Sequence, residues 1–471
     1  MSTSASSLYS STLSSIAGNV NDAFSGKTSG IDVGTIVSEL MEVERQPETV
    51  WQNEQTTINS QVTALTSMNT QLTALYNDVN SLNDFDGAFS QMTSASSDDA
   101  IVSVSADSTA TAGTHTVVVS NLATTSSAYS GYISSGSSLA GAVINVAYGS
   151  PNDPGSTNTI TIPSTDTTLA QAVSSINSGG YGVTASQMTD TNGSRLVLTS
   201  NTSGAAGNLT ISSSSTSFTS AAGVDAQLTV DGVPVDSSSN TISNAIAGVT
   251  LSLGSADPNT SVLISVQPDT TQASTAIQQF VTDYNSLVGA INTQYTIDPT
   301  TGSEGVLAGD SMVRSLQSQL LGLASTTTTA AGPYINLQSM GIEMQNDGTL
   351  QINSSTLSTA LSSDYSDVQK FFQSTSPVGW GQAVGTQLQQ MTDPTVGLVS
   401  ADITGLNQTS QGLTDEINDF ETQMTSVQDQ LTTQYDNLDT LLQEYPMQLQ
   451  EIAAQLSSLP GATSTSSSSS S

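Results

Sequence analysis

The 471-residue sequence contains no cysteine, one histidine and five basic residues. Without cysteine the chain has no disulfide, no thiolate nucleophile and no cysteine-based metal site. One histidine cannot by itself supply the ligands of a zinc site or the members of a catalytic triad. The five lysines and arginines are scattered, whereas a surface that binds nucleic acid or anionic lipid needs them clustered. These absences argue against redox, zinc-dependent and nucleic-acid-binding functions.

The shortage of basic residues also sets the net charge, which is −35 from 40 acidic residues. The lack of Lys and Arg, rather than an excess of carboxylates, produces this value. A surface with so few charged side chains in total favours an exported protein. No apolar run reaches the roughly 18 residues that span a bilayer. The N-terminus lacks the basic start and apolar core of a Sec-type signal peptide. If the protein is exported, we expect it to leave the cell by another route.

The N-terminal region predicts two consecutive helices within residues 29–92. Asp32 is suited to cap the first helix. Pro47 is suited to the first turn of a second helix, so we predict a kink or restart there and a helix that continues to about Asp84. In this second helix an apolar seam recurs every seven residues, as in a coiled coil. The seam consists of Ile58, Leu65, Leu72 and Val79.

The C-terminal region, residues 401–460, repeats the heptad pattern more strictly. Its seam consists of Leu413, Ile417, Phe420, Met424, Val427, Leu431 and Leu438. Pro446 should kink this helix, after which an apolar stripe continues. Helices at opposite ends of a chain pair most economically with each other, so we predict an intramolecular coiled-coil stalk. Whether the seams also form subunit contacts is left open.

The middle of the chain predicts β-structure between about residues 97 and 270, with one helix at 169–177. Eight segments rich in β-branched residues lie between Gly, Asn, Asp and Ser turns. They are residues 100–106, 114–120, 143–149, 158–163, 195–200, 226–232, 248–254 and 261–267. Helical periodicity returns after Thr271.

These elements predict an α+β multidomain fold. The terminal helices pair as a coiled-coil stalk together with a helical middle domain, and the β-rich head domains are inserted between them. The expected units are a disordered N-terminal tail and export region (1–28), N-terminal stalk helices (29–92), a proximal head domain (93–130 and 222–271), a distal inserted head domain (131–221), a helical stalk domain (272–400), a C-terminal helix (401–460) and a disordered tail (461–471).

Candidate catalytic groups are few. Two carboxylates at a set separation could still support glycosidase chemistry. The acidic residues that stand out, however, lie next to Asn, Ala or Gly, as turn formers do; they are Asp190, Asp225, Asp231 and Asp347. His115 lies in an alternating strand, where a structural role is favoured. The aromatic cluster of Phe371, Phe372 and Trp380 is typical of a core. We therefore expect no enzymatic activity, no cofactor and no metal.

Several segments, in order along the chain, together resemble the bacterial flagellar filament-capping proteins, also called hook-associated protein 2 or the FliD family. The first is SGID followed by IVSELMEVERQP, and the second is GTHTVVVSNLA. The others lie at residues 176–209, 228–253, 280–292, 305–320, 340–353 and 438–456. The near absence of Lys and Arg and the position of Pro446 depart from the family pattern.

The resemblance implies a homo-oligomeric cap at the distal tip of the flagellar filament. Such a cap retains exported flagellin and promotes its folding and insertion. It implies a secreted, extracellular protein whose partners are flagellin, an export chaperone, the type III export apparatus and the hook-associated junction proteins. Nucleic-acid binding and membrane insertion are not expected.

Three other functions remain open from the sequence. The first is a secreted, tip-exposed adhesin whose β head binds mucin or host glycans. The second is a polysaccharide hydrolase that uses paired carboxylates. The third is another axial protein, such as flagellin or a junction protein, which would be present in many copies along the filament rather than at its tip.

Overall fold

The computed structural model describes residues 32–134, 138–150, 153–300 and 302–457, together with Ser14, Ala17 and Gly18. The predicted tail at 461–471 and the rest of the predicted tail at 1–28 lie outside these residues. The helices are α1 (Val33–Glu44), α2 (Gln46–Asn83), α3 (Leu169–Ser178), α4 (Thr270–Gln294), α5 (Ser311–Ala324), α6 (Ser354–Ser363), α7 (Tyr365–Gln373), α8 (Trp380–Thr392) and α9 (Leu398–Ser457).

The first eight strands are β1 (Met92–Ser96), β2 (Val102–Ala106), β3 (Gly113–Asn121), β4 (Thr125–Ser130), β5 (Val143–Ser150), β6 (Asp153–Thr161), β7 (Val183–Asp190) and β8 (Gly193–Ser203). The later strands are β9 (Leu209–Ser213), β10 (Phe218–Ala221), β11 (Ala226–Val230), β12 (Val233–Ser237), β13 (Thr241–Ile246), β14 (Val249–Leu253), β15 (Asp257–Pro268), β16 (Ile342–Met344) and β17 (Leu350–Ile352).

The two N-terminal helices form as their sequence predicts. The Asp32 carboxylate accepts a hydrogen bond from the Thr35 amide at 3.0 Å and caps α1. Arg45 separates α1 from α2, and Pro47 lies in the first turn of α2, where its missing N–H costs no hydrogen bond. The predicted restart is therefore confirmed. α2 ends at Asn83, one residue before the predicted end.

The proximal β unit contains two antiparallel sheets. The strand order is β1-β15-β3-β11-β12 in one sheet and β13-β14-β2 in the other. Alternate residues of these strands share a single buried cluster, which includes Val117, Leu251 and Ile264. Because the side chains of a strand alternate between faces, each sheet buries one face and exposes its Ser and Thr residues on the other.

The distal β unit has its own core. Its sheets have the orders β10-β4-β8-β7 and β6-β5-β9. Helix α3, which begins with a Thr168–Gln171 capping box, shares the distal core through Ala172 and Ile176. The chain enters this unit at Thr124 and leaves it at Val224, where the Thr124 amide donates to the Val224 carbonyl at 3.0 Å.

The entry point into the distal unit differs from the predicted one. Residues 125–130, which we expected in the proximal domain, form β4 and pair with β8 and β10 of the distal sheet. Between β3 and β4 there is neither Gly nor Pro, so the sequence carries no signal of the crossing. The return crossing lies within two residues of the predicted boundary.

A helical body connects the β units with the N-terminal helices and with α9. The second half of α2 packs with α4 to α8 in one large cluster. Phe371 stacks on Trp380 with ring centroids 5.8 Å apart, and Phe372 stacks on Phe89 at 5.0 Å. Phe371, Phe372 and Trp380 are at most 1% exposed, which confirms the predicted aromatic core.

Candidate assembly interface

The predicted seam of α2 is buried, but not against the C-terminal helix along its whole length. Leu65, Leu72 and Val79 belong to the cluster of the helical body, which α4 and α8 complete with Ile277 and Val384. The start of α9 adds Val399, Ile403 and Leu406 to the same cluster, so α9 covers this part of the seam together with other helices rather than alone. An apolar stripe at helical spacing does not specify its partner, and here a bundle rather than one long helix covers it. Ile58 is also buried.

The first part of α2 and all of α1 do pair with α9. Gln55 Nε2 donates to Thr414 Oγ1 at 2.6 Å, and Ser410 Oγ donates to Asn59 Oδ1 at 3.2 Å. The rings of Trp51 and Phe420 meet in a T-shaped arrangement, with centroids 5.2 Å apart. As residue numbers rise on α2 they fall on α9, so the two helices are antiparallel. We call α1, residues 46–60 and α9 the leg.

The centre of the leg is a small apolar cluster between α1 and α9. Its buried members are Val37, Met41 and Met424. The half-buried residues that pack against it are Val33, Phe420, Val427, Leu431 and Tyr435. Leu413 is buried and Ile417 is half-buried closer to the helical body. The structure thus brings most of the predicted C-terminal seam against α1 and the start of α2.

One basic residue joins the three helices of the leg. Arg45 donates to both carboxylate oxygens of Glu421, at 3.1 and 3.3 Å, and to Glu48 at 2.9 Å. The hydrogen bond to Glu421 raises the pKa of Arg45, and the same bond lowers the pKa of Glu421. A two-pronged guanidinium–carboxylate pair fixes orientation, although its partial exposure limits the stabilisation.

Beyond Tyr435 the apolar face of α9 is not covered by the residues that the structure describes. Five residues at helical spacing are between 38% and 66% exposed, and we call them the outer stripe. They are Leu438, Leu441, Tyr445, Leu449 and Ile452. Helix α9 continues to Ser457, so Pro446, at which we predicted a kink, does not end it. An exposed apolar stripe of this length indicates a contact surface.

Two pairs of acidic residues lie at contacts between helices. Asp78 of α2 is paired with Asp283 of α4, and Asp402 of α9 is paired with Asp310 before α5. Burial, and then a hydrogen bond with Asp283 of α4, raises the pKa of Asp78 to about 7. Burial, and then the charge of Asp310, raises the pKa of Asp402 near the start of α9. In the folded chain both acids therefore hold their proton to a higher pH than an exposed aspartate does.

The single histidine has a structural partner. His115 Nδ1 lies 2.8 Å from Asp231 Oδ2, and the Thr116 amide donates to the other oxygen of the same carboxylate at 2.8 Å. Asp231 and Gly232 both have positive φ in the tight turn between β11 and β12. Asp231 is thus a turn residue, as predicted. Within the described ranges no group of three His, Asp or Glu side chains could hold a metal ion.

The part of the chain that the structure describes contains no helix that is both long enough and apolar enough to cross a membrane.

Comparison with protein families gives three matches. A model described as the C-terminus of flagellar hook-associated protein 2 matches residues 223–446, and the N-terminal model of the same family matches residues 29–126. A flagellin hook IN motif matches residues 147–202. This motif falls in the distal β unit, which separates the two family models along the chain.

Individual relatives point to the same family as the family models. The chain is 29% identical to flagellar hook-associated protein 2 of Escherichia coli K12, over 83% of this chain and 89% of the relative. It is 28% identical to the B-type flagellar hook-associated protein 2 of Pseudomonas aeruginosa, over 79% and 84%. A crystal structure of the D1-D2-D3 domains of the flagellar cap protein FliD from Escherichia coli matches with a TM-score of 0.58 and 28% identity. It covers 73% of this chain and 99% of that one.

The two family models together span more than half of the sequence, and their order agrees with the fold, since the N-terminal model includes all of α1 and α2 and the C-terminal model includes most of α9. The chain belongs to the flagellar hook-associated protein 2 family.

Proposed function

We propose that this protein is a flagellar filament cap, an oligomeric scaffold at the distal tip that retains exported flagellin and promotes its folding and insertion. The observation that carries the proposal is the likeness in fold and sequence to a flagellar cap protein over most of the chain. The leg adds a physical reason. It joins the N-terminal helices to α9 in a narrow antiparallel bundle, a shape suited to reach from a head down into a filament.

The predicted seam residues divide into two roles in this proposal. Leu65, Leu72 and Val79 stabilise the helical body, in which they are fully buried. The half-buried part of the α9 seam, for example Phe420 and Val427, lies at the surface of the leg and is available to neighbouring subunits. In a closed ring each copy presents the same surfaces to its neighbours, so a modest contact is repeated around the ring.

The remaining partners and the location belong to the same proposal. The partners are flagellin, an export chaperone, the type III export apparatus and the hook-associated junction proteins, and the protein is secreted to the filament tip. We propose a scaffold without enzymatic activity. The acids Asp231 and Asp347 support this because their carboxylates accept structural hydrogen bonds, Asp231 from the Thr116 amide of neighbouring strand β3 and Asp347 from the Thr349 amide within its own turn.

A strain that lacks this chain tests the function. We expect cells without filaments that release monomeric flagellin into the medium, and we expect filaments to return when the purified protein is added. Normal filaments with little free flagellin would contradict the cap function. Normal filaments combined with poor attachment to mucin would favour the adhesin.

A further inference from the structure

Two segments of chain connect the proximal and distal β units, and they lie side by side. One runs from β3 to β4 through Thr124, and the other runs from β10 to β11 through Val224. The Thr124 amide donates to the Val224 carbonyl at 3.0 Å, and the Val224 amide donates to Thr124 Oγ1 at 3.2 Å. Two short adjacent segments would by themselves form a hinge, because a few torsion angles can reorient a whole unit.

The apolar cores do not join the two units. Among the residues that the structure describes, the buried cluster of the proximal unit and that of the distal unit have no member in common. Val224, the large apolar residue of the second connection, is 50% exposed. Domains without a large apolar interface move relative to each other by default. A fixed orientation of the distal unit therefore requires polar contacts at the connections.

Asn240 fixes the first connection to the proximal unit. It lies in the turn between β12 and β13, where its Oδ1 accepts a hydrogen bond from the Ala123 amide at 2.7 Å. Its Nδ2 donates to the Ala123 carbonyl at 3.0 Å. The side-chain amide thus satisfies both backbone groups of a buried residue, as a neighbouring strand would. The chain is therefore held in place up to the residue before Thr124.

Asp225 fixes the second connection to the distal unit. The sequence predicts this acid as a local turn former, but its Oδ1 accepts a hydrogen bond from the amide of Ala205, which lies 20 residues away, at 2.7 Å. The amide of the preceding residue, Gly204, donates to the Thr124 carbonyl at 3.0 Å. Gly204 has a φ of +76°, and a Cβ atom there would lie 2.6 Å from Ser238 Cα. The distal turn therefore fits closely against the proximal unit.

A third contact joins the units directly. Ser203 lies at the end of β8 in the distal unit, and its Oγ donates to the carbonyl of Ser238 in the proximal unit at 2.5 Å. We propose that Asp225 and Asn240 lock the proximal and distal β units into one rigid head. With these two side chains in place the connections cannot act as a hinge, and the distal unit keeps one orientation. The proposal does not rest on the cap function.

Because the chain has no cysteine, a pair of cysteine substitutions can carry spin labels at chosen positions of the full-length protein. The labels are attached at Ser105→Cys in β2 and at Ser186→Cys in β7, which are exposed in the proximal and distal units. Double electron–electron resonance then gives the distribution of the distance between the two labels. Labelled protein is mixed with an excess of unlabelled protein, so that only distances within one chain are measured.

The lock is removed by the double substitution Asp225→Ala and Asn240→Ala. The matched control is Asp236→Ala with Asn244→Ala, which removes an acid and an amide that are exposed in β12 and β13. A milder second variant is Asn240→Asp, since a carboxylate cannot donate to the Ala123 carbonyl. Circular dichroism and urea unfolding of each protein check that the β units remain folded.

We expect one narrow distance distribution in the parent and in the control, and a distribution about twofold wider when the lock is removed. Asn240→Asp should also widen it. Asp225→Asn should keep the distribution narrow, because the amide oxygen can still accept the hydrogen bond from Ala205. A distribution in the parent as wide as that without the lock would overturn the proposal. So would equally narrow distributions in the lock variant and the control, which would show that other contacts fix the orientation.

Discussion

Arg45 and Glu421 are 376 residues apart in the sequence, yet two hydrogen bonds of 3.1 and 3.3 Å join their side chains. Arg45 lies at the break between α1 and α2, so this one pair fixes the register of both N-terminal helices against α9. It also uses one of only five basic residues in a chain of net charge −35. At the centre of the leg, this polar contact thus sets the alignment of the antiparallel helices, in addition to the apolar cluster that packs them together.

Removing the acid of this pair should loosen the leg rather than unfold the protein. In Glu421→Gln we expect a small decrease in the urea midpoint of the leg, larger at low ionic strength because the pair is partly exposed. Since Arg45 lowers the pKa of Glu421, the contribution of the pair should be present at neutral pH and be lost as the pH falls below the usual glutamate value. Glu416→Gln, at an exposed acid of the same helix, is the control. Equal effects of the two variants would show that the pair does not hold the register.

Three aspartates in the α9 seam should separate the helices of the leg. In the triple variant Leu413→Asp, Phe420→Asp and Val427→Asp, each substitution places a charge in an apolar contact. We expect loss of cap assembly and of filaments, with the β units still folded by circular dichroism and proteolysis.

The matched control for that variant adds the same charge to the exposed face of α9. It consists of Gln411→Asp, Asn418→Asp and Thr425→Asp. This control should retain filaments of normal length. Normal filaments in the seam variant would rule out a requirement for the paired leg.

The seam of α2 should behave as part of a core. Leu72 is fully buried in the helical body, so Leu72→Ala should lower the free energy of unfolding by about 2–5 kcal/mol. Leu263→Ala, at a half-exposed leucine of β15, should change it by less than about 0.5 kcal/mol. Denaturant unfolding of both variants checks the difference. A small loss for Leu72→Ala would mean that the helical body does not cover this stripe.

Asp78 should make the helical body less stable as the pH rises. Its pKa of about 7 in the folded chain lies above the usual aspartate value of about 3.9. The folded state therefore binds the proton more tightly, and stability falls as the pH rises between about 4 and about 7. Asp78→Asn should remove this dependence and raise the urea midpoint at pH 8.

Asp347 provides a control of opposite sign for the pH dependence. Hydrogen bonds from Thr349 lower the pKa of this turn aspartate, so Asp347→Asn should lose stability at neutral pH. If the stability of the Asp78→Asn protein depended on pH in the same way as that of the parent, Asp78 would not be the group that causes this dependence.

The sequence predicts the elements well where apolar residues repeat. All eight predicted strands are present, and the break between α1 and α2 follows from Pro47. Seven further strands between β1 and β13 are missed, including β4 and β10. They are rich in Ser, Thr and Ala, and they are held by pairing to their neighbours rather than by an alternating apolar pattern of their own.

The site is only partly predictable, because a heptad pattern identifies a buried face without identifying what buries it. Leu72 and Phe420 occupy equivalent seam positions in the sequence, yet the first lies in the helical body and the second in the leg. Nothing near Arg45 in the sequence identifies Glu421 as its partner, since the two residues are 376 positions apart. An isolated arginine near a helix break, in a chain with so few cations, is the one feature that could have suggested it.

The central claim is tested most directly by locating the protein on intact flagella. Gold-labelled antibody against this chain, viewed by electron microscopy, should mark only the distal end of each filament, with a few copies per tip. Labelling along the whole shaft would indicate another axial protein, and labelling on the cell body would contradict the cap function.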